Sequence, residues 1–175
     1  MARCSSSSFI RELSVARIGA TYNQYAESAF LRARLQTYLE SHAHARVLLV
    51  GEAAGYRGAR VSGIPFTSER QLTGRGPAEA SATVVHRVLR ELGIEHDVLL
   101  WNVVPTHPGT ASSNRTPTRA EIDAARPFLD ALVTGRSVIA VGRVAAATLD
   151  APYVRHPSHG GAVAFASGLR HMLAE

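Results

Sequence analysis

Four short apolar runs punctuate the chain and are separated by helical patterns: "ARVLLVGE" at 45–52, "DVLLWNVV" at 97–104, "SVIAVG" at 137–142 and "APYVRHP" at 151–157. Compact, near-continuous apolar runs mark strands buried on both faces. Strands that alternate with helices imply a parallel sheet covered on both sides. In such a sheet, ligands bind beyond the carboxyl ends of the strands. The unusual stretches of this sequence fall there: "GEAAGYRG" after the first strand, Asn102 at the end of the second, and "HPSHGG" after the fourth. If all the strands run parallel, these three segments meet on one edge.

The helices between them are legible from spacing. Tyr25, Phe30, Leu31, Leu35, Tyr38 and Leu39 predict a helix over 25–42. Pro77 is expected to open the next helix and Gly93 to close it, with Val85, Val88, Leu89 and Leu92 as its apolar stripe. "TRAE" at 118–121 matches a capping box, followed by a core stripe of Ile122, Ala125, Leu129 and Leu132. Pro127 is expected to kink or weaken that helix. "RVAAATL" reads as a short helix, and 161–174 as a last one with Val163, Leu169 and Met172 apolar. Residues 52–76 and the stretch "PTHPGTASSNRTP" read as long polar loops. Residues 1–23 show no firm pattern and are expected to form an N-terminal extension of one domain spanning 1–175.

Composition narrows the chemistry. A chain of 175 residues is long enough for one sizeable core. No run is long and apolar enough to cross a membrane, and the N-terminus has no apolar stretch of a secretory signal, so an intracellular protein is expected. Cys4 is the single cysteine, which excludes an internal disulfide, a thiolate zinc site and a four-cysteine iron–sulfur cluster. All 19 Lys+Arg residues are arginine, and the net charge is +5. Genome composition, visible also in the heavy use of alanine, accounts for the larger share of that bias. Attraction to a polyanion such as DNA is the functional reading. Without lysine there is no side-chain amine for Schiff-base chemistry.

Taken singly, the segments are weak signals. "GEAAGYRGARVSGIPF" at 51–66 has neither the dinucleotide-binding spacing nor the Gly-Lys of a phosphate loop, and alone reads as a plain loop. The carboxamide of Asn102 either bonds its own loop or reads a base edge. His156 is either a structural histidine at a strand end or a neutral donor to an oxyanion. Ser158 and Gly160, just before a helix, are placed to offer backbone N–H groups to an anion.

In order and spacing, the set resembles the uracil-DNA glycosylase superfamily. "VGEAAG" is similar to that family's first motif, "IPF" to the segment with a stacking phenylalanine, "WNVV" to the strand with a base-reading asparagine, and "HPSHGG" to the closing His-Pro-Ser motif. "NRTP", "ARPFL" and "VIAVGRVAA" bring the bacterial Gly-Glu-Ala-Pro-Gly branch closest. The resemblance spans about 46–174. It implies an α/β fold, a three-layer α/β/α sandwich around a four-stranded parallel sheet. It also implies a monofunctional DNA glycosylase that hydrolyses the N-glycosidic bond of uracil, or a related deaminated base, flipped out of DNA. The alternative is a catalytically weak member that only binds nucleic acid or a nucleotide; a third reading is a hydrolase of small nucleosides.

By the same resemblance, Phe66 stacks on the base, Asn102 reads its amide edge and His156 donates to O2. Gly51, Glu52 and Gly55 shape the first wall, while Ser158, His159 and Gly160 meet the DNA backbone. One branch of the family orients water with an aspartate where this chain has Ala53; Glu52 and Asn102 are the nearest substitutes. Gly55 stands where that branch has a tyrosine that rejects thymine, so either Tyr56 fills the space or specificity is relaxed. Ala54 replaces a proline and is expected to loosen the wall. No large apolar wedge follows His156, which leaves His159 or an arginine to plug the duplex. The implied partner is DNA containing uracil or another deaminated base. No cofactor is implied, and the protein is expected as a monomer in the bacterial cytoplasm, at the nucleoid.

Overall fold

The structure, a computed structural model, describes residues 6–173. Its strands are β1 (Val47–Ala53), β2 (Val98–Val104), β3 (Gly109–Thr110), β4 (Ser113–Asn114), β5 (Ser137–Val141) and β6 (Tyr153–Val154). Its helices are α1 (Ser6–Val15), α2 (Gln24–Glu27), α3 (Ala29–Ser41), α4 (Ala59–Ser62), α5 (Glu69–Thr73), α6 (Ala80–Leu92), α7 (Arg119–Val133), α8 (Arg143–Thr148) and α9 (Ala162–Leu173). The central sheet has four strands, all parallel, in the order β2-β1-β5-β6. β3 and β4 make a small antiparallel hairpin beyond its end.

Side-chain alternation along the strands builds three layers. Leu48, Val50, Leu99 and Trp101 face α1, α3, α7 and α8, where Phe9, Leu13, Leu35, Leu129 and Ala145 join them. Leu49, Val98, Leu100, Ile139 and Val154 face α6 and α9, against Val85, Val88, Leu89, Phe165 and Leu169. This is the parallel sheet covered on both faces expected from the strand and helix pattern, and the three-layer α/β/α sandwich that the resemblance implied. Among the described residues no helix is long and apolar enough to cross a membrane.

Several expectations need correction. The N-terminal segment is part of the body: α1 sinks Phe9, Ile10 and Leu13 into the core, and the Phe9 ring meets Trp101 edge-on at 5.6 Å. Residues 1–5, with Cys4, and 174–175 lie outside the described residues. The single helix over 25–42 is two. Asn23 caps α2 by accepting from the Tyr25 and Ala26 N–H groups, and extended Ser28 breaks the chain and caps α3. Phe30, counted in the apolar stripe, is 65% exposed. The helix thought to open at Pro77 begins at Ala80. Val163 likewise points outward, and Phe165 takes its place in the core. α7 runs through Pro127 without a break, and its capping box is present as expected. The loops are less bare than they read. α4 and α5 lie within 52–76, and the β3–β4 hairpin lies within the second loop.

Candidate active site

Gly51 of β1 and Asn102 of β2 are partners in register, both on the α6–α9 side of the sheet. Asn102 is 3% exposed, and among the described residues no protein group hydrogen-bonds its carboxamide. A buried carboxamide at the edge of a cavity, free of protein partners, is suited to bond a ligand. Gly51 is glycine for a steric reason. A Cβ there would lie 2.9 Å from Asn102 Oδ1 and closer still to the Phe66 ring.

Phe66 reaches this spot through a tightly bonded turn. Ser62 Oγ accepts from the Ile64 N–H at 3.1 Å and donates to the Thr67 carbonyl at 2.6 Å. Thr67 Oγ1 donates to the Pro65 carbonyl, and Tyr25 donates to the Gly63 carbonyl at 2.8 Å. The result holds Phe66 at φ 52, a backbone region that non-glycine residues seldom occupy. Strain of this kind persists where the surroundings over-determine it, which is common at ligand sites.

His156 follows β6 and faces the same region, with its ring centroid 6.4 Å from that of Phe66. The Ser158 N–H donates to His156 Nδ1 at 3.2 Å, and the Ser158 hydroxyl lies 2.8 Å from the same nitrogen. His159 Nδ1 sits 3.0 Å from that hydroxyl. An Nδ1 that accepts from a backbone N–H carries no proton, so this network assigns the proton of the neutral ring to Nε2. Burial, and secondarily the charge of His159, push the His156 pKa below the usual histidine value. The imidazole is therefore kept neutral with Nε2–H free to donate. Gly142, at φ 89, backs the ring; a Cβ there would press to 3.2 Å from His156 Cβ.

These residues line one cavity of about 590 Å³ at the carboxyl ends of β1, β2 and β6. Of the sequence-derived candidates it gathers Glu52, Ala53, Gly55, Tyr56, Phe66, Asn102, His156, Ser158 and His159. Gly51 lies beneath the Phe66 ring rather than on the surface of the cavity, and Gly160 lies outside its lining. The hydroxyl and N–H of Ser158 are both directed at His156. Burial raises the Glu52 pKa, while a hydrogen bond from Thr116 works in the opposite direction. Among the described residues no three His, Cys, Asp or Glu side chains cluster to hold a metal ion.

The first wall is firmer than Ala54 suggested. The Ala54 N–H, which a proline would lack, donates to the Val104 carbonyl at 3.3 Å. Its carbonyl meets Nδ1 of fully buried His107 at 2.7 Å, and the other nitrogen of that ring lies 2.7 Å from the Thr110 carbonyl. His107 thus ties the wall to the hairpin, and the hairpin in turn sends Asn114 Oδ1 to accept from the Tyr56 N–H. The Tyr56 ring lies beneath the Arg57 guanidinium at 5.3 Å. The room that a side chain at Gly55 would need is taken by the carboxylate of Glu79, which also lines the cavity. Neither Glu79 nor His107 carried a sequence signal: Glu79 precedes the apolar stripe of its predicted helix, and His107 sits in a loop without periodicity. Arg115, at the rim, holds Glu121 of the α7 capping box in a two-pronged pair at 2.6 and 2.8 Å. That guanidinium, with bonds from Thr118, holds the Glu121 carboxyl down to about 2.

Comparison with known proteins bears on this arrangement. The sequence matches the model of the uracil DNA glycosylase superfamily over residues 39–170. Wild-type SMUG2 of Pedobacter heparinus has a similar crystal structure, with a TM-score of 0.68 at 13% identity, over 97% of this chain and 98% of that one. Wild-type UNG of Nitratifractor salsuginis aligns at a TM-score of 0.49 and 16% identity, over 97% of this chain and 96% of that one. Among curated proteins none matches the sequence.

Proposed function

The chain belongs to the uracil-DNA glycosylase superfamily, and from that premise we propose that it releases uracil, or a related deaminated base, from DNA. The observation that carries this reading is the meeting of Phe66, Asn102 and His156 in one cavity at the strand ends. A base must leave the stack before its anomeric carbon can be reached, at an energetic cost of a few kcal/mol. In the cavity, Phe66 stacks on the extruded ring and the free carboxamide of Asn102 pairs with N3–H and O4. His156 Nε2–H points at O2.

The hard event is departure of the base. The C1′–N1 bond breaks with its electron pair on the base, and negative charge gathers on O2. A neutral imidazole held by Ser158 donates there without first having to turn or change protonation. Such a preorganised donor favours the transition state over the substrate, and removing one typically lowers the rate ~10²–10³-fold. Water then adds to the sugar and leaves an abasic site. With no lysine in the chain, no side-chain amine is available to cleave the strand through a Schiff base, in keeping with a monofunctional glycosylase. On this reading the protein works as a monomer on the chromosome, in the bacterial cytoplasm.

The test is base release. Oligonucleotides carrying uracil, hypoxanthine or xanthine, single- and double-stranded, are incubated with the full chain and then treated with alkali. Cleavage at uracil is the expected result. No cleavage of any substrate at stoichiometric protein overturns the reading.

A further inference from the structure

Glu79 is a carboxylate without an assignment. It occupies the N-cap position of α6, yet its side chain makes no capping bond. Among the described residues its carboxylate joins no ion pair and no side-chain hydrogen bond, although it is partly buried. Two glycines make room for it. A Cβ at Gly55 would lie 3.1 Å from Glu79 Cδ, and one at Gly58 would lie 2.8 Å from the same atom, each closer still to one carboxylate oxygen. The chain thus excludes side chains at two positions of the first wall and puts a carboxylate in their place, facing the cavity. A partly buried carboxylate with no protein partner is costly unless something in the cavity bonds it. Burial accordingly raises its pKa.

Its place in the cavity indicates what it bonds. With the base held by Phe66, Asn102 and His156 as proposed above, the rest of the lining, Ala53 to Tyr56 together with Glu79, is left to face the sugar. Ala53 offers that sugar no polar side chain. Glu52, the other carboxylate on the wall, has Thr116 beside it, which favours its ionised form, whereas Glu79 has no such neighbour. We propose that Glu79 is the catalytic base that orients and deprotonates the water attacking C1′. This rests on the glycosylase reading above. The step balances simply. The C1′–N bond breaks with its pair on the base, a lone pair of the water oxygen forms the new bond to C1′, and Glu79 takes the water proton. That proton later passes to solvent, and the products are the free base and an abasic sugar.

The test is single-turnover release of uracil from an oligonucleotide, with binding of the same oligonucleotide measured separately. Glu79→Gln, nearly the same shape, is expected to slow release about 10²-fold, the low end for general-base catalysis, with binding within threefold of wild type. Glu79→Ala is expected to recover at least tenfold on addition of formate, which restores a carboxylate without restoring the side chain. Near-wild-type release by Glu79→Gln overturns the assignment. So does loss of binding in step with rate, or no response of Glu79→Ala to formate. An inactive wild-type protein overturns the glycosylase reading and this one together; an active wild type with an indifferent Glu79 overturns only this one.

Discussion

A single methyl group is a sharp probe of the candidate site. Gly51→Ala puts a Cβ against the Phe66 ring and 2.9 Å from Asn102 Oδ1. Phe66 is already held at φ 52 and cannot retreat without breaking its turn. The expected outcome is loss of uracil release by at least about tenfold together with a lower melting temperature, since the added methyl has no room beneath the Phe66 ring. Equal rates for Gly51→Ala and wild type would show that ring and carboxamide do not act together. At this scale residue type and order singled out Phe66, Asn102 and His156, and the structure brings these three side chains to one cavity. The sequence was silent about Glu79 and His107. Their surroundings are set by neighbours distant in the chain, Gly55 and Gly58 for one and Ala54 for the other, which no local spacing can reveal.

Among the elements, α1 and the start of α7 carry the clearest tests. Phe9 is 5% exposed and its ring contacts both Trp101 and Phe128. Phe9→Ala should cost about 3–5 kcal/mol in urea unfolding, as for other buried aromatic truncations. A value near zero would mean that α1 is an appendage. At α7, the Glu121 carboxyl is held at about 2 against an ordinary value of 4.5. A lowered folded-state pKa stabilises the fold above the unfolded value, and that contribution is lost as the pH falls towards the folded one. Glu121→Gln should therefore unfold at lower urea than wild type at neutral pH, with the gap closing as the pH falls from 4.5 to about 2. A gap that does not change with pH would contradict the pairing with Arg115. Strands were legible because a strand buried on both faces must be apolar throughout. The break at Ser28 was not, because the spacing from Tyr25 to Leu39 continues across it, and the Asn23 and Ser28 caps replace the bonds that are lost. α1 was missed because ten residues supply only three buried positions.

For the whole molecule, topology does the positioning. The order β2-β1-β5-β6, all parallel, brings the ends of β1, β2 and β6 to one edge, so three stretches far apart in the chain line one cavity. Arg57, Arg115 and His159 stand at its mouth, and the chain carries a net charge of +5. Binding to uracil-containing DNA should weaken steeply with salt, because each neutralised phosphate releases counterions. Affinity unchanged between 50 and 200 mM salt, a range over which about six phosphate contacts cost ~10³-fold, would argue against a DNA substrate. The most direct test of the central claim is the single-turnover rate of uracil release by His156→Ala beside wild type on one oligonucleotide. A fall of ~10²–10³-fold with the fold intact is predicted for a lost oxyanion donor; equal rates would contradict the account.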